Sequence, residues 1–282
     1  MFHRKEKRGT CPVCGYHAAY AETMGKNGAR IGWCASCQDR EAIAAHLQGA
    51  GVGGRRAAGD YGPHPDKALE DSKKRAEAAV IWNGAVPVTA NDPAGRYLAR
   101  RGLVHLIGCT ALRYRADVPH PAGGRYMALV AVVVDTAGEL VGVHRTYVAS
   151  DGTKARLEPV KASKGTIWGG AIRLAPVAPE IVIGEGIETS ASAGLLLGLP
   201  PWVAISAGNL ATGLILPPEV RGVVIAADDD GVNAHGRNPG IEAAEAAARR
   251  WQAEGRKVRI IKPEKAGTDF NDVLKARVGA LA

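Results

Sequence analysis

The sequence predicts an α/β protein with a mixed α+β segment and a small cysteine-bearing module ahead of its C-terminal part. Three observations support this prediction. After about residue 178, short apolar strands alternate with helical stretches, which is the pattern of a parallel sheet with helices on its faces. Two Cys-x-x-Cys pairs stand near the N-terminus. A stretch rich in glycine and proline then separates these pairs from the rest of the chain.

The N-terminal module, residues 1–48, contains the pairs Cys11-Pro-Val-Cys14 and Cys34-Ala-Ser-Cys37, nineteen residues apart. Two such pairs can supply four thiolates to one tetrahedral Zn²⁺. The residues between them predict two short strands around a Gly-Lys-Asn-Gly turn, and a short helix follows near 39–48. Disulfides are disfavoured in a cytoplasmic protein, and a redox pair would need one motif within a βαβ unit. We therefore predict a structural zinc ribbon held by all four cysteines.

The net charge of +8 is unevenly distributed along the chain. Lys and Arg exceed Asp and Glu by four in residues 1–60 and by six in residues 61–177, whereas residues 178–282 carry two more carboxylates than cations. A basic front suits a polyanion such as single-stranded nucleic acid, although surface charge and a purely structural ribbon are alternatives. No apolar run approaches the roughly 20 residues that span a bilayer, and no signal peptide is evident. We therefore expect a cytoplasmic protein without a membrane partner.

A predicted flexible linker, residues 49–65, leads into a basic α+β segment, residues 66–177. In this segment we predict a helix over 66–84, a second helix that starts at Asn-Asp-Pro and ends at Gly102, and a β-hairpin over 126–148. Solvated surface charge is one explanation of its basic side chains, and binding of nucleic acid or nucleotide phosphates is the other. The residues predicted to bind are Arg145, Lys154, Lys161, Lys164 and Arg173.

Acidic residues follow two predicted strands of the C-terminal part. Glu185 ends the strand EIVIG, and the aspartates Asp228, Asp229 and Asp230 follow the strand GVVIA. The active crevice of a parallel sheet lies at the carboxyl ends of its strands. Side chains at i and i+2 of an extended chain point the same way. Asp228 and Asp230 can therefore share one site, from which Asp229 turns away.

A further acidic position is Asp269, in the sequence GTDFNDVL after the last predicted strand. Together with Glu185 and the Asp-x-Asp pair it predicts an acidic pocket that requires a cation, because close carboxylates resist joint ionisation. Oxygen ligands suit Mg²⁺ or Mn²⁺, which serve phosphoryl and nucleotidyl transfer. The Asp-Gly sequence alone would equally suit a turn or a helix cap, so the prediction depends on the whole set.

Three stretches resemble the signature motifs of the TOPRIM fold of topoisomerases and primases: IVIGEGIETSAS, VVIAADDDGVNAHG and GTDFNDVL. The order of zinc ribbon, basic segment and TOPRIM-like domain is similar to that of bacterial DnaG-type primases and their phage and plasmid relatives. The likeness is close over residues 178–275 and loose before them. It implies that Glu185 is a general acid or base, and that Asp228, Asp230 and Asp269, with Glu185, hold catalytic Mg²⁺ or Mn²⁺.

The chain departs from this family pattern at Thr189, where many relatives carry an aspartate. The departure leaves the ligand set open, including whether the adjacent Glu188 compensates. The ligands of the predicted zinc ribbon are unaffected by it.

The resemblance implies a DNA primase, an enzyme that makes short RNA primers on single-stranded DNA from nucleoside triphosphates. Two alternatives stay open: a TOPRIM nuclease that uses the same carboxylates, and a non-catalytic nucleic-acid-binding protein like the recombination mediator RecR. The ribbon and the basic segment favour the primase and suit a bacterial, phage or plasmid protein. The phosphate loop Gly-x-x-x-x-Gly-Lys-Ser/Thr is absent from the sequence, so any helicase partner is expected to be a separate protein.

Overall fold

Two five-stranded sheets, one antiparallel and one mainly parallel, form most of the computed structural model. The structure describes residues 9–13, 20–24, 28–34, 40–49, 65–229, 231, 238–265 and 267–279. Within these residues, no helix is long and apolar enough to cross a membrane.

The N-terminal module contains a hairpin and a helix among its described residues: β1 (Tyr20–Met24), β2 (Arg30–Cys34) and α1 (Arg40–Gly49). The two strands pair antiparallel, with Tyr20 opposite Cys34. Cys11 and Cys34 are buried with Tyr20 against the apolar residues Ile43 and Leu47 of α1. The predicted hairpin and helix are confirmed, whereas Cys14 and Cys37 lie outside the described residues.

The basic segment folds into an antiparallel sheet with helices packed on it. Its elements are α2 (Pro65–Asn83), β3 (Val86–Pro87), α3 (Pro93–Arg100), a 3-10 turn (Val104–Leu106), β4 (Leu112–Pro119), β5 (Arg125–Val134), β6 (Leu140–Tyr147) and β7 (Lys161–Gly165). The strands follow one another in chain order. Helix α3 begins as predicted, because Asp92 Oδ1 accepts a hydrogen bond from the N–H of Gly95 at 2.8 Å and Pro93 occupies the first turn.

The C-terminal part forms the second sheet, in the order β12-β11-β9-β10-β8. Its elements are β8 (Ile172–Arg173), β9 (Glu180–Gly184), α4 (Ile187–Leu197), β10 (Pro201–Val203), a π-helical turn (Asn209–Gly213), β11 (Gly222–Ala226), α5 (Pro239–Ala253), β12 (Lys257–Ile261) and α6 (Phe270–Gly279). Strands β9 to β12 run parallel, as predicted, and β8 is antiparallel at the edge. The predicted strand PWVAISAG is wrong beyond Val203, because Ile205 has a φ of 77°, which ends the extended chain.

One hydrophobic core joins the two sheets. Its buried members come from both sides of the boundary predicted between residues 177 and 178, and include Leu98, Leu129, Ile187, Val203 and Leu274. Backbone hydrogen bonds of 2.9 Å in both directions between Val134 and Ala171 also connect β5 to the chain that enters β8. The basic segment therefore packs directly against the sheet that carries the acidic residues.

Candidate active site

Two parallel strands present acidic residues at the same edge of the sheet. Strands β9 and β11 pair with Gly184 opposite Ala226, so the chain reaches Glu185 and Asp228 directly after neighbouring strand ends. A side chain at Gly184 would collide with the first turn of α4, because its Cβ would lie 2.9 Å from Ser190 Oγ. The glycine therefore allows α4 to begin directly against this edge, which we call the acidic edge and define by Glu185 and Asp228.

Thr189, in the first turn of α4, contacts Asp228. Its Oγ1 donates a hydrogen bond to Asp228 Oδ1 at 2.8 Å, and the threonine is only 4% exposed. The next residue, Ser190, accepts a hydrogen bond from the N–H of Gly184 at 3.0 Å, which fixes the turn on β9. The residue that departs from the TOPRIM pattern therefore orients a carboxylate of the acidic edge.

Asp229 has a different set of partners from Asp228. Its carboxylate accepts hydrogen bonds from Asn238 Nδ2 at 2.7 Å and from Lys262 Nζ at 3.2 Å. The hydrogen bond from Lys262, and then that from Asn238, hold the pKa of Asp229 below its usual value. The two neighbouring aspartates thus face different groups, as the alternation argument predicts. Asp230 lies outside the described residues.

Asp269 stands at the start of α6 and caps that helix. Its Oδ1 accepts a hydrogen bond from the N–H of Asp272 at 2.8 Å. Its charge also reaches Tyr97: burial, then Glu188, and to a smaller extent Asp269, raise the pKa of that phenol. Asp269 therefore caps α6 in the structure, and its role as a metal ligand stays a prediction.

A buried carboxylate, that of Glu188 in α4, joins the basic segment to the acidic edge. Tyr97 of α3 donates a hydrogen bond to its Oε1, Lys161 Nζ of β7 lies 3.1 Å from Oε2, and Lys154 Nζ lies 3.6 Å from Oε1. Burial alone would raise the pKa of Glu188, but Lys161, Tyr97 and Lys154 outweigh it and hold the pKa below its usual value. Glu188 is therefore ionised, and we call these four residues the Glu188 cluster.

The remaining three predicted phosphate-binding residues are engaged elsewhere in the fold. The buried Arg145 donates hydrogen bonds to three backbone carbonyl oxygens, at 2.8, 3.0 and 3.2 Å. Arg173 donates to two carbonyl oxygens and lies over the ring of Trp202. Lys164 forms an ion pair with Glu77 of α2. Phosphate binding stays a prediction for all five residues, and Lys154 and Lys161 are the two that lie beside Glu188 of α4.

His144 of β6 belongs to the same region but adds no charge at neutral pH. Its Nδ1 lies 3.0 Å from Ser163 Oγ. Burial, and then the charge of Lys161, lower the pKa of His144 to about 3. A neutral imidazole fits the structural role that a lone histidine on a strand most often has.

The described part of the predicted zinc site suits a thiolate-bound metal. Cys11 and Cys34 are fully buried in one cluster, and the N–H of Val13 donates to Cys11 Sγ at 3.4 Å. The other two predicted ligands fall outside the described residues, and within the described ones no three His, Cys, Asp or Glu side chains are grouped to hold a metal ion.

The acidic edge also suits a hard divalent cation. Glu185 and Asp228 supply carboxylate oxygens at adjacent strand ends, and Mg²⁺ is usually bound through one or two carboxylates together with water and substrate phosphate. The residues present therefore fit Mg²⁺ or Mn²⁺ better than a softer metal.

Three residues with contacts at the site are not predictable from the sequence: Tyr97, Asn238 and Lys262. Tyr97 lies on the buried face of a short helix, which predicts burial but not the partner of its hydroxyl, 91 residues away. Asn238 precedes a proline at a helix start, which is a capping signal. That signal does not predict its contact with Asp229.

The two family matches meet between β8 and β9, so the edge strand β8 of the second sheet lies in the first match. Residues 180–279, from β9 to α6, match the Toprim domain family. We call residues 180–279 the Toprim domain after this match. Residues 72–174 match a family described as a domain of unknown function. The acidic edge and Glu188 therefore belong to the Toprim domain, whereas Tyr97, Lys154 and Lys161 come from the segment before it.

The chain is also similar to known primases. It is 38% identical over 107 residues to the DNA primase TraC of Escherichia coli, and the match covers 36% of this chain and 7% of that protein. A solved DnaG primase catalytic domain bound to single-stranded DNA has 14% identity and a TM-score of 0.49, with 74% of this chain and 78% of that one covered. The primase fragment of the bacteriophage T7 primase-helicase has 15% identity and a TM-score of 0.44, with 96% and 95% covered.

Proposed function

We propose that this chain is a DNA primase, a nucleotidyltransferase that makes short RNA primers on single-stranded DNA from nucleoside triphosphates. The observation that carries the proposal is that Lys154 and Lys161 form ion pairs with Glu188. Glu188 lies in the Toprim domain, shortly after Glu185 of the acidic edge. Nucleotidyl transfer requires cationic groups on the triphosphate and carboxylates that hold a metal at the reacting oxygen. The local similarity to a DNA primase supports this reaction over hydrolysis of a phosphodiester.

In this proposal the carboxylates of the chain bind the metal ion and its lysines bind the triphosphate. Asp228, oriented by Thr189, and Glu185 hold the divalent cation, with Asp230 and Asp269 as the further predicted ligands. When bound, Mg²⁺ or Mn²⁺ neutralises phosphate charge and activates a hydroxyl nucleophile. Lys154 and Lys161 bind and orient the triphosphate beside the acidic edge, and Glu185 is the candidate group for accepting a proton from the attacking hydroxyl.

The N-terminal module completes the proposal. Its four cysteines would hold a structural Zn²⁺, and the ribbon would engage the single-stranded template and help to choose the start of the primer. A separate replicative helicase and a cytoplasmic, plasmid- or phage-type setting belong to the same proposal. The domain limits proposed with it are 1–48, 49–65, 66–177 and 178–282.

A priming assay tests the proposed reaction. Single-stranded DNA, labelled nucleoside triphosphates and Mg²⁺ or Mn²⁺ should yield short oligoribonucleotides with the unaltered protein. Asp228→Ala and Glu185→Gln should each reduce the rate by at least about 100-fold, because each removes charge at the reacting centre. Asp229→Asn is the matched control, since its partners are Asn238 and Lys262, and it should stay within a few-fold of the parent.

Two results would contradict the primase proposal. The first is an absence of oligoribonucleotides over varied templates with either metal. The second is degradation of labelled DNA that does not require nucleotides and that is lost in Asp228→Ala, which would instead support a Toprim nuclease. Activity equal in Asp228→Ala and Asp229→Asn would overturn the assignment of the acidic edge.

A further inference from the structure

We propose that Glu188 is a positioning residue for the nucleotide: it is the internal counterion that holds the ammonium groups of Lys154 and Lys161 together at the acidic edge, ready for a triphosphate. This inference rests on the proposed function and deepens it. It explains why the ammonium groups of both lysines lie close together beside the acidic edge, where they could bind a polyphosphate.

The first argument is the position of the cluster. A Cβ built on Gly186 would lie 3.6 Å from Glu188 Oε2 and 4.0 Å from Lys161 Nζ. The ion pair therefore lies over the residue that follows Glu185 in the chain. A ligand that reached Lys161 would be next to the acidic edge, where the proposed metal-bound phosphates belong.

The second argument is the difference in exposure between the two signs of charge. The Glu188 side chain is 8% exposed, whereas those of Lys161 and Lys154 are 33% and 37% exposed. Glu188 also lies in the first turn of α4, whose backbone fixes its position. The anion is thus the rigid member, and the lysines, on their flexible four-carbon stems, remain accessible to a ligand.

The third argument is that the two lysines repel each other. Lys154 Nζ and Lys161 Nζ lie 3.6 and 3.1 Å from the two oxygens of one carboxylate, so the ammonium groups are close together. Burial, and next the charge of Lys161, lower the pKa of Lys154. Glu188 is the anion between them, and its single charge leaves the three-charge set with an excess of one positive charge. Without Glu188 the lysines would separate into solvent. With it, they form a cationic site suited to a polyphosphate.

The alternative is that Glu188 only ties α3 to α4 through Tyr97. Tyr97→Phe separates these roles, because it removes the hydrogen bond and leaves both lysine pairs. A matched control elsewhere is Asp117→Asn. The carboxylate of Asp117 also pairs with two cations, Arg115 at 2.7 Å and Arg125 at 2.9 Å, on the antiparallel sheet.

The test measures the binding of a fluorescent nucleoside triphosphate, and of the matching monophosphate, to the full chain with Mg²⁺ present. Glu188→Gln should raise the Kd for the triphosphate by about tenfold or more, as loss of a supporting charge around a ligand site typically does. The Kd for the monophosphate should change less, since it has fewer phosphate charges. Tyr97→Phe and Asp117→Asn should stay within about twofold to threefold of the parent in triphosphate Kd.

A double-mutant cycle shows whether Glu188 acts through the lysines. In a Lys154→Ala, Lys161→Ala background, Glu188→Gln should change the triphosphate Kd by less than about twofold, because the groups it positions are gone. An equal loss in both backgrounds would overturn the inference. Should Glu188→Gln fail to fold, Glu188→Asp keeps the charge but shortens its reach, and is expected to raise the Kd several-fold; an unchanged Kd would overturn the inference.

The outcomes also separate this inference from the proposed function. A parent protein that binds no nucleoside triphosphate overturns both. A parent that binds triphosphate and makes primers, with a folded Glu188→Gln variant of unchanged Kd, overturns the positioning role alone.

Discussion

The hydroxyl of Thr189 changes the charge balance of the acidic edge at the scale of a single residue. An aspartate at this position would add a negative charge next to Asp228 and increase the requirement for cations. The threonine instead donates a hydrogen bond to Asp228, which orients the carboxylate without adding charge. The chain therefore holds Asp228 in place by a neutral donor, and its edge needs less positive charge to be neutralised.

Thr189→Val tests this contact, because valine keeps the shape and removes the donor. We expect the free energy of unfolding to fall by about 1.5 kcal/mol or more, since a buried hydrogen bond to a charged acceptor is lost. Urea denaturation at neutral pH measures the change. Thr189→Ser keeps the hydroxyl and should lose about 1 kcal/mol or less. Equal stability of the valine variant and the parent would contradict the role of the hydroxyl.

At the scale of secondary structure, elements with a strong local signal are the ones that the sequence predicts. Helix α3 has an Asp-Pro start and a glycine end, and β9 and β11 are short apolar runs that are buried on both faces. The π-helical turn after β10 has no such signal, because it depends on tertiary contacts. The buried Asn209 accepts a hydrogen bond from the N–H of Gly169 and donates to the carbonyl oxygens of Gly170 and Ala204.

The same distinction applies to the site. Glu185 and Asp228 are predictable because the carboxyl ends of parallel strands meet at one edge. The Glu188 cluster is not predictable, since Tyr97 and Lys161 come from elements that meet Glu188 only through packing of the whole fold. Basic residues alone also fail to reveal their partners: Lys161 faces Glu188, whereas Arg145 donates to backbone carbonyl groups.

The proposed zinc ribbon gives a prediction for one element of the chain. Cys34→Ser should lower the zinc content from about one ion per chain to well below that, because a tetrahedral site loses one of four thiolates. Mass spectrometry of the metal in the purified protein measures it. Cys109→Ser is the matched control, since that thiol lies 3.5 Å from the carbonyl oxygen of Leu174 in the body of the protein, and should keep its zinc. A parent protein without zinc would contradict the ribbon assignment.

At the scale of the whole molecule, the shared core makes the Toprim domain and the segment before it mechanically dependent on each other. Ile187 and Val203 of the parallel part are buried in the same cluster as Leu98 and Leu129 of the antiparallel part. The Glu188 cluster crosses the same interface with charged groups. Relative motion of the two sheets would expose apolar surface and break the ion pairs of the buried Glu188, so the site keeps its geometry only while the two parts are packed together.

Ile187→Ala tests this dependence, because it creates a cavity at the interface between the two sheets. We expect the free energy of unfolding to fall by about 2–4 kcal/mol. Hydrogen exchange followed by mass spectrometry should show nearly equal losses of protection in β5 and in β10, since Leu129 of β5 and Val203 of β10 are buried in the same disturbed core. Leu195→Ala, on the same helix but 46% exposed, is the control and should cost less than about 1 kcal/mol. A loss of protection confined to the strands of the parallel sheet would contradict a single cooperative unit. In that case β5 would remain protected while β10, which shares its core, opened.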